Sequence, residues 1–165
     1  MSKDESSLNV HLRPATIEDA AAVADVLILA RLAFMPYAPS AHSDPELRTW
    51  VHGHLVPGGG VLVAEHEGVV VGVMSTSSAA GVHWIDQMMV RPSHVDVGIG
   101  SRLLEHALET LARPIRLCTF QANGGARRFY ERHGFVAIEF TDGQSNEEHC
   151  PDVLYELAAM DRRGV

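Results

Sequence analysis

Residues 123–135 read Asn-Gly-Gly-Ala-Arg-Arg-Phe-Tyr-Glu-Arg-His-Gly-Phe, and they constrain the fold more than any other stretch. Ala126, Phe129, Tyr130 and His133 recur at i, i+3, i+4 and i+7, the spacing of one helical face. Gly134 follows where a helix closes in a left-handed residue. Strand-like runs at 115–120 and 135–140 flank it, so a short helix is strung between two strands. Upstream, Val97-Gly98-Ile99-Gly100 opens another helix directly after a strand-like run at 84–91.

The rest of the chain falls into line around these elements. A short alternating strand is expected at 10–13. An alanine-rich helix over about 17–33 opens on Thr16-Ile17-Glu18-Asp19, a capping-box pattern with Asp in place of Glu. It is apolar on most sides and should be largely buried. Phe34-Met35-Pro36-Tyr37-Ala38-Pro39 breaks it. Asp44-Pro45-Glu46 supplies an N-cap, a proline at the first helical position and an acidic first turn for a second helix to about Leu55. Residues 61–65 and 69–75 read as a hairpin joined by His66-Glu67-Gly68, with a third strand at 82–91. The helix after Gly98 runs to about Ala112 and carries Leu104, Ala107, Leu108 and Leu111 on one face; Pro114 ends it. A polar loop at 141–152 precedes a last strand at 153–158. The predicted order is β-α-α-β-β-β-α-β-α-β-β.

Composition sets the class. The 165 residues suit a single domain over 8–165 with polar, disordered residues at 1–7. A hydrophobic content of 46% with 21% charged residues is that of a globular protein. The net charge of −8 argues against nucleic-acid binding, which requires a basic face. No apolar run approaches the roughly 18 residues of a membrane span, and the N-terminus is not a signal peptide, so no membrane partner and a cytoplasmic location are expected. Cys118 and Cys150 give no disulfide framework; Cys118, inside an apolar run, reads as a buried small hydrophobe. His52-Gly53-His54 has no further ligand at metal spacing, so no metal is expected.

The chemistry concentrates between 84 and 135. A helix N-terminus offers unpaired N–H groups and a partial positive charge, and glycines let that backbone approach a phosphate. Gly98, Ile99, Gly100 and Ser101 stand where such a cradle should be. Asp86 is a carboxylate inside an apolar strand that leads to it.

The glycine turn, the strand before it and the Phe129-Tyr130 helix together resemble the acyl-CoA-binding half of the GNAT N-acetyltransferases. The resemblance implies an α/β fold, a strongly twisted mixed sheet of about seven strands with about four helices on both faces. It implies transfer of an acetyl group from acetyl-CoA to a primary amine, by direct attack in a ternary complex. Transferred residue by residue, the cofactor would lie on the backbone of Met88, Met89 and Val90. It would continue over the turn Val95, Asp96, Val97, Gly98, Ile99, Gly100 and Ser101, and against Asn123, Ala126, Arg127, Phe129 and Tyr130. Tyr130 matches the family's tyrosine acid. Asp86 and Glu147 are candidate bases and substrate contacts, and Phe34, Met35 and Tyr37 a candidate wall of the acceptor pocket. Arg127 and Glu131, at i and i+4, read as an exposed pair. The turn departs from the family at Val95, usually Arg or Gln, and at Asp96, a like charge beside the phosphates. Arg102 or Arg91 would have to compensate. A CoA-binding module without catalysis is therefore the alternative. The resemblance implies a small-molecule or peptide amine as acceptor and is compatible with a homodimer.

Overall fold

Seven strands pair into one sheet in the order β1-β2-β3-β4-β5-β7-β6. The computed structural model describes residues 8–160, so the disorder expected of residues 1–7 lies outside the described residues. The strands are β1 (Val10–Pro14), β2 (Val61–His66), β3 (Val69–Ala79), β4 (Val82–Val90), β5 (Ile115–Phe120), β6 (Val136–Thr141) and β7 (Asp152–Leu157). Helices α1 (Ala20–Phe34), α2 (Asp44–Trp50), α3 (Ile99–Thr110) and α4 (Gly124–Arg132) complete the fold. Only β4 and β5 run parallel; the other neighbours are antiparallel, so the sheet is mixed.

Helices cover both faces. Ile99, Leu103, Leu104 and Ala107 of α3 bury against Ala64, Val71 and Met74 on one side. Val23, Val26 and Leu27 of α1 bury against Val61, Val63 and Val73 on the other, with Val51 beside them. Gly72 eases the first contact: a Cβ there would stand 3.0 Å from Ile99 and 3.1 Å from Leu103, so a side chain would push α3 away from β3 by a few tenths of an ångström.

The elements depart from expectation in instructive places. The Thr16–Asp19 capping box forms on a 3-10 turn ahead of α1, and Asp19 is then claimed by Arg13 through two hydrogen bonds of 2.7 and 2.9 Å. Arg13 also reaches Glu65 on β2, which ties β1, β2 and the entry to α1 together. α1 is not buried all round: Leu32 is 69% exposed, because one helix on a sheet face can bury only one side. α2 stops at Trp50 and continues as a π turn over Val51–Leu55. β3 runs past 75 to Ala79, since Ser77 and Ser78 find partners in Trp84 and His83 and their polarity becomes irrelevant. Ala80 (φ 50°) and Gly81 (φ 79°) make the tight turn between them.

Two irregularities in β4 create the site. The register with β3 slips between Ser75 and Thr76, which leaves Asp86 as the extra, bulged residue. β4 and β5 pair only at His83↔Ile115 and Trp84↔Arg116, and beyond them the strands part.

Candidate active site

The parting strands leave backbone groups without partners. Arg91 N–H bonds the Val71 carbonyl of β3 at 2.7 Å, and the ladder from Gln87 to Val90 is regular. Alternation along a strand then turns the N–H and C=O of Met88 and Val90 away from β3, into the gap. A cavity of about 330 Å³ occupies that gap, lined by Met88, Leu117, Cys118, Asn123, Ala126 and Tyr130 among others. Tyr130 is placed by aromatic packing, with ring centres 5.3 Å from Phe129, 5.8 Å from Phe135 and 6.3 Å from Tyr155. Burial alone pushes its phenol well above the usual tyrosine range. Asn123 caps α4, its Oδ1 accepting the Ala126 N–H at 3.2 Å, while it borders the cavity. Cys118 is not the buried hydrophobe expected; it is exposed on the cavity wall, and desolvation by those walls raises its thiol pKa.

The glycine turn adjoins this gap. Asp96 (φ 61°) and Gly98 (φ 89°) both take the left-handed conformation, and α3 starts at Ile99. Arg102 N–H makes the first bond back, to the Gly98 carbonyl at 3.1 Å, so the N–H groups of Ile99, Gly100 and Ser101 have no partner within the helix. Ile99 is a core side chain and offers only its backbone. Gly100 faces inward, 3.6 Å from Phe129 and 3.9 Å from Val90 by its Cβ position, which joins the turn to the gap. Val95 is half-buried, and Asp96 and Val97 are exposed.

The cationic side chains considered for phosphate are otherwise engaged. Arg102 donates to the Val10 carbonyl at 2.6 Å and Arg91 to the Val70 carbonyl at 3.3 Å. Arg127 donates to the Tyr155 hydroxyl at 3.1 Å and lies 5.5 Å over Phe140. It does not form the expected pair with Glu131, because the Tyr155 hydroxyl stands between them and donates to Glu131 at 2.9 Å. The free donors of the turn itself are the backbone N–H groups of Ile99, Gly100 and Ser101, as at any helix N-terminus. An open strand edge, a narrow cavity and a free first turn fit a pyrophosphate with a slender amide-bearing arm.

The acceptor-side residues separate. Met35 lines the gap cavity, whereas Phe34 and Tyr37 are both exposed, Tyr37 packing edge-on against Phe120 with ring centres 6.2 Å apart. Asp86 borders the gap cavity from its bulge. Glu147 does not reach that cavity; its side chain is 70% exposed and meets His42 at 3.1 Å. Its neighbour Glu148 does border it, paired with Arg31 at 3.2 Å. Both glutamates ride on the 142–151 loop, clamped by Asn146, which accepts the Cys150 N–H at 3.1 Å and donates to the Cys150 carbonyl at 2.7 Å. Sequence reasoning missed Arg31 and Gln87. Each is a polar residue in an apolar element, the signal that singled out Asp86.

This geometry has counterparts. The model of the acetyltransferase (GNAT) family matches residues 27–135. The chain belongs to that family and is an acetyltransferase of it. Similar structures include a GNAT-family acetyltransferase from Bacillus cereus, with a TM-score of 0.71 at 15% identity over 92% of this chain and 99% of that one. The PaiA N-acetyltransferase of Thermoplasma acidophilum, in complex with coenzyme A, gives 0.71 at 18% over 91% and 99%. An Arabidopsis thaliana protein in complex with the bisubstrate analogue CoA-Ac-MVNAL gives 0.68 at 19% over 90% and 98%. At these identities the likeness is one of fold. No curated protein sequence matches the chain. Among the described residues no helix is long and apolar enough to cross a membrane, and no cluster of metal-ligating side chains forms.

Proposed function

We propose that the chain transfers an acetyl group from acetyl-CoA to a primary amine, by direct attack in a ternary complex without a covalent acyl-enzyme. The observation that carries this reading is the gap between β4 and β5. It has Tyr130 and the open backbone of Met88 and Val90 on its walls, and it is joined through Val90 and Phe129 to the free first turn of α3. The structures solved with coenzyme A and with a CoA-peptide analogue support it.

Coenzyme A, when bound, supplies the acetyl group as a thioester. The N–H groups of Ile99, Gly100 and Ser101 hold its phosphates, aided by the α3 dipole. Backbone groups of Met88 and Val90 pair with its amide-bearing arm as an added strand would. The Met88 N–H, turned into the gap, polarises the acetyl carbonyl. Asp86 takes the proton of the incoming amine, directly or through water. Tyr130 donates its hydroxyl hydrogen toward the departing sulfur.

A second reading rests on Asp96, whose carboxylate sits exposed beside the phosphate turn while Arg91 and Arg102 are bonded elsewhere. A CoA-binding module without catalysis would then remain. Calorimetric titration with acetyl-CoA and CoA tests the donor half: micromolar binding is expected, and no binding at millimolar ligand overturns it. Thiol release that depends on added amine separates the enzyme from the module.

A further inference from the structure

Two further cavities open on the α1–α2 side of β4, and both share Gln87 and Trp50. Gln87 and Asp86 also border the gap. The first cavity, about 450 Å³, lies beside Asp86, Ser75 and Thr76. Ser75 is only 2% exposed, and its buried Oγ has no hydrogen-bond partner. Buried hydroxyls are nearly always paired, so an unpartnered one on a residue that lines a cavity points to a polar group bound there.

The second cavity, about 460 Å³, carries Glu46, Glu147 and Glu148 against Arg31. Arg31 is taken by Glu148 at 3.2 Å. Glu46 and Glu147 stand on either side of His42, whose ring nitrogens lie 3.4 Å and 3.1 Å from them. Two carboxylates thus flank one imidazole in an exposed cluster, the Glu46 and Glu147 side chains being 64% and 70% exposed. The hydrogen bond to Glu147, then the pull of both carboxylates, raises the His42 pKa, so the cluster favours positive charge. Leu27, Leu47 and Trp50 give the same cavity an apolar wall suited to an alkyl chain.

We propose that the acceptor is a dication spanning both cavities, its reacting amine beside Asp86 and Ser75 and its second ammonium between Glu46 and Glu147 in place of His42. The inference rests on the acetyl-transfer reading above and narrows its acceptor from any primary amine to a short diamine or polyamine. The reacting amine gives up a proton toward Asp86. Its lone pair forms the C–N bond while the C–S bond breaks, the sulfur keeping the bonding pair and taking the second proton that the nitrogen sheds as the amide forms. The second ammonium stays charged and unreacted on the glutamates.

The test is calorimetric binding of putrescine and, as the matched monocation, butylamine, to the wild-type chain and to Glu147→Gln and Ser75→Ala, with CoA titrated first. A charge-assisted contact predicts putrescine binding at least about tenfold tighter than butylamine. Glu147→Gln should erase that difference and leave butylamine unchanged. Ser75→Ala should weaken both amines, with the melting temperature held or raised. Equal affinity for the two amines in the wild-type chain, or an equal loss for both in Glu147→Gln, overturns the dication. Amine affinities untouched by Ser75→Ala overturn the placing of the reacting amine. The initial CoA titration reports on the cofactor half and amine-dependent thiol release on acetyl transfer, so failure of that reading is not mistaken for failure of this one.

Discussion

Replacing Tyr130 by phenylalanine isolates one hydroxyl. The ring packs against Phe129, Phe135 and Tyr155, and phenylalanine keeps all three contacts. Folding stability should therefore hold. Burial pushes the phenol far above its ordinary value, so it stays protonated wherever the protein is folded and is a weaker acid than a thiol, whose pKa is near 8.5. Complete proton transfer to the sulfur is then uphill, and the hydroxyl works chiefly by hydrogen bonding to the charge that builds there. A hydrogen bond to a charged group is worth about 1.5–3 kcal/mol, which is roughly 10- to 150-fold in kcat. Steady-state thiol release should show that fall with KM for acetyl-CoA little changed. Because the phenol does not titrate, the ratio of wild-type to variant kcat should be flat from about pH 6 to 9. A kcat unchanged by the substitution, or a ratio that collapses on a basic limb within that range, refutes the reasoning.

Gly98→Ala should cost about 1 kcal/mol, since φ is 89° and no neighbour crowds the new Cβ, so backbone strain acts alone. The same change should weaken CoA in calorimetry, while Gly100→Ala, whose Cβ meets Phe129 at an ordinary 3.6 Å, should alter stability little. Asp19 is held down to about 2, first by its hydrogen bonds to Arg13 and then by the Thr16 backbone N–H. A depressed carboxylate contributes stability above its unfolded pKa near 4 and loses it as pH falls toward 2. The contribution is about 2 kcal/mol at neutral pH. Urea midpoints for Asp19→Asn and wild type should differ at pH 7 and converge near pH 2; parallel curves would remove the linkage.

The glycine turn and the head of α4 were legible because local chemistry dictates them. Gly98 must be glycine-like for a left-handed turn ahead of a helix, and Asn123 caps α4 through its own third residue on, Ala126. Strand and helix periods located all eleven elements to within a few residues. The acceptor side was not legible, because its groups come from α1, α2, β3, β4 and the 142–151 loop, and no periodicity links them. Ser75 shows the limit: on the page it is one serine in a polar run, and only the Ser75↔Gln87 register and the packing above it bury its hydroxyl without a partner.

The sequence by itself determined which segments are strands and helices, where the glycine turn ahead of α3 falls and which helical face carries Tyr130, since each follows from contacts within a few residues. Tertiary structure alone decided that β4 and β5 part after two residue pairs, that Asp86 is the bulged residue of β4, that Arg127 serves Tyr155, and that His42 lies between Glu46 and Glu147. These depend on pairing across long stretches of chain, where the free energy of register and burial is settled by all the elements at once.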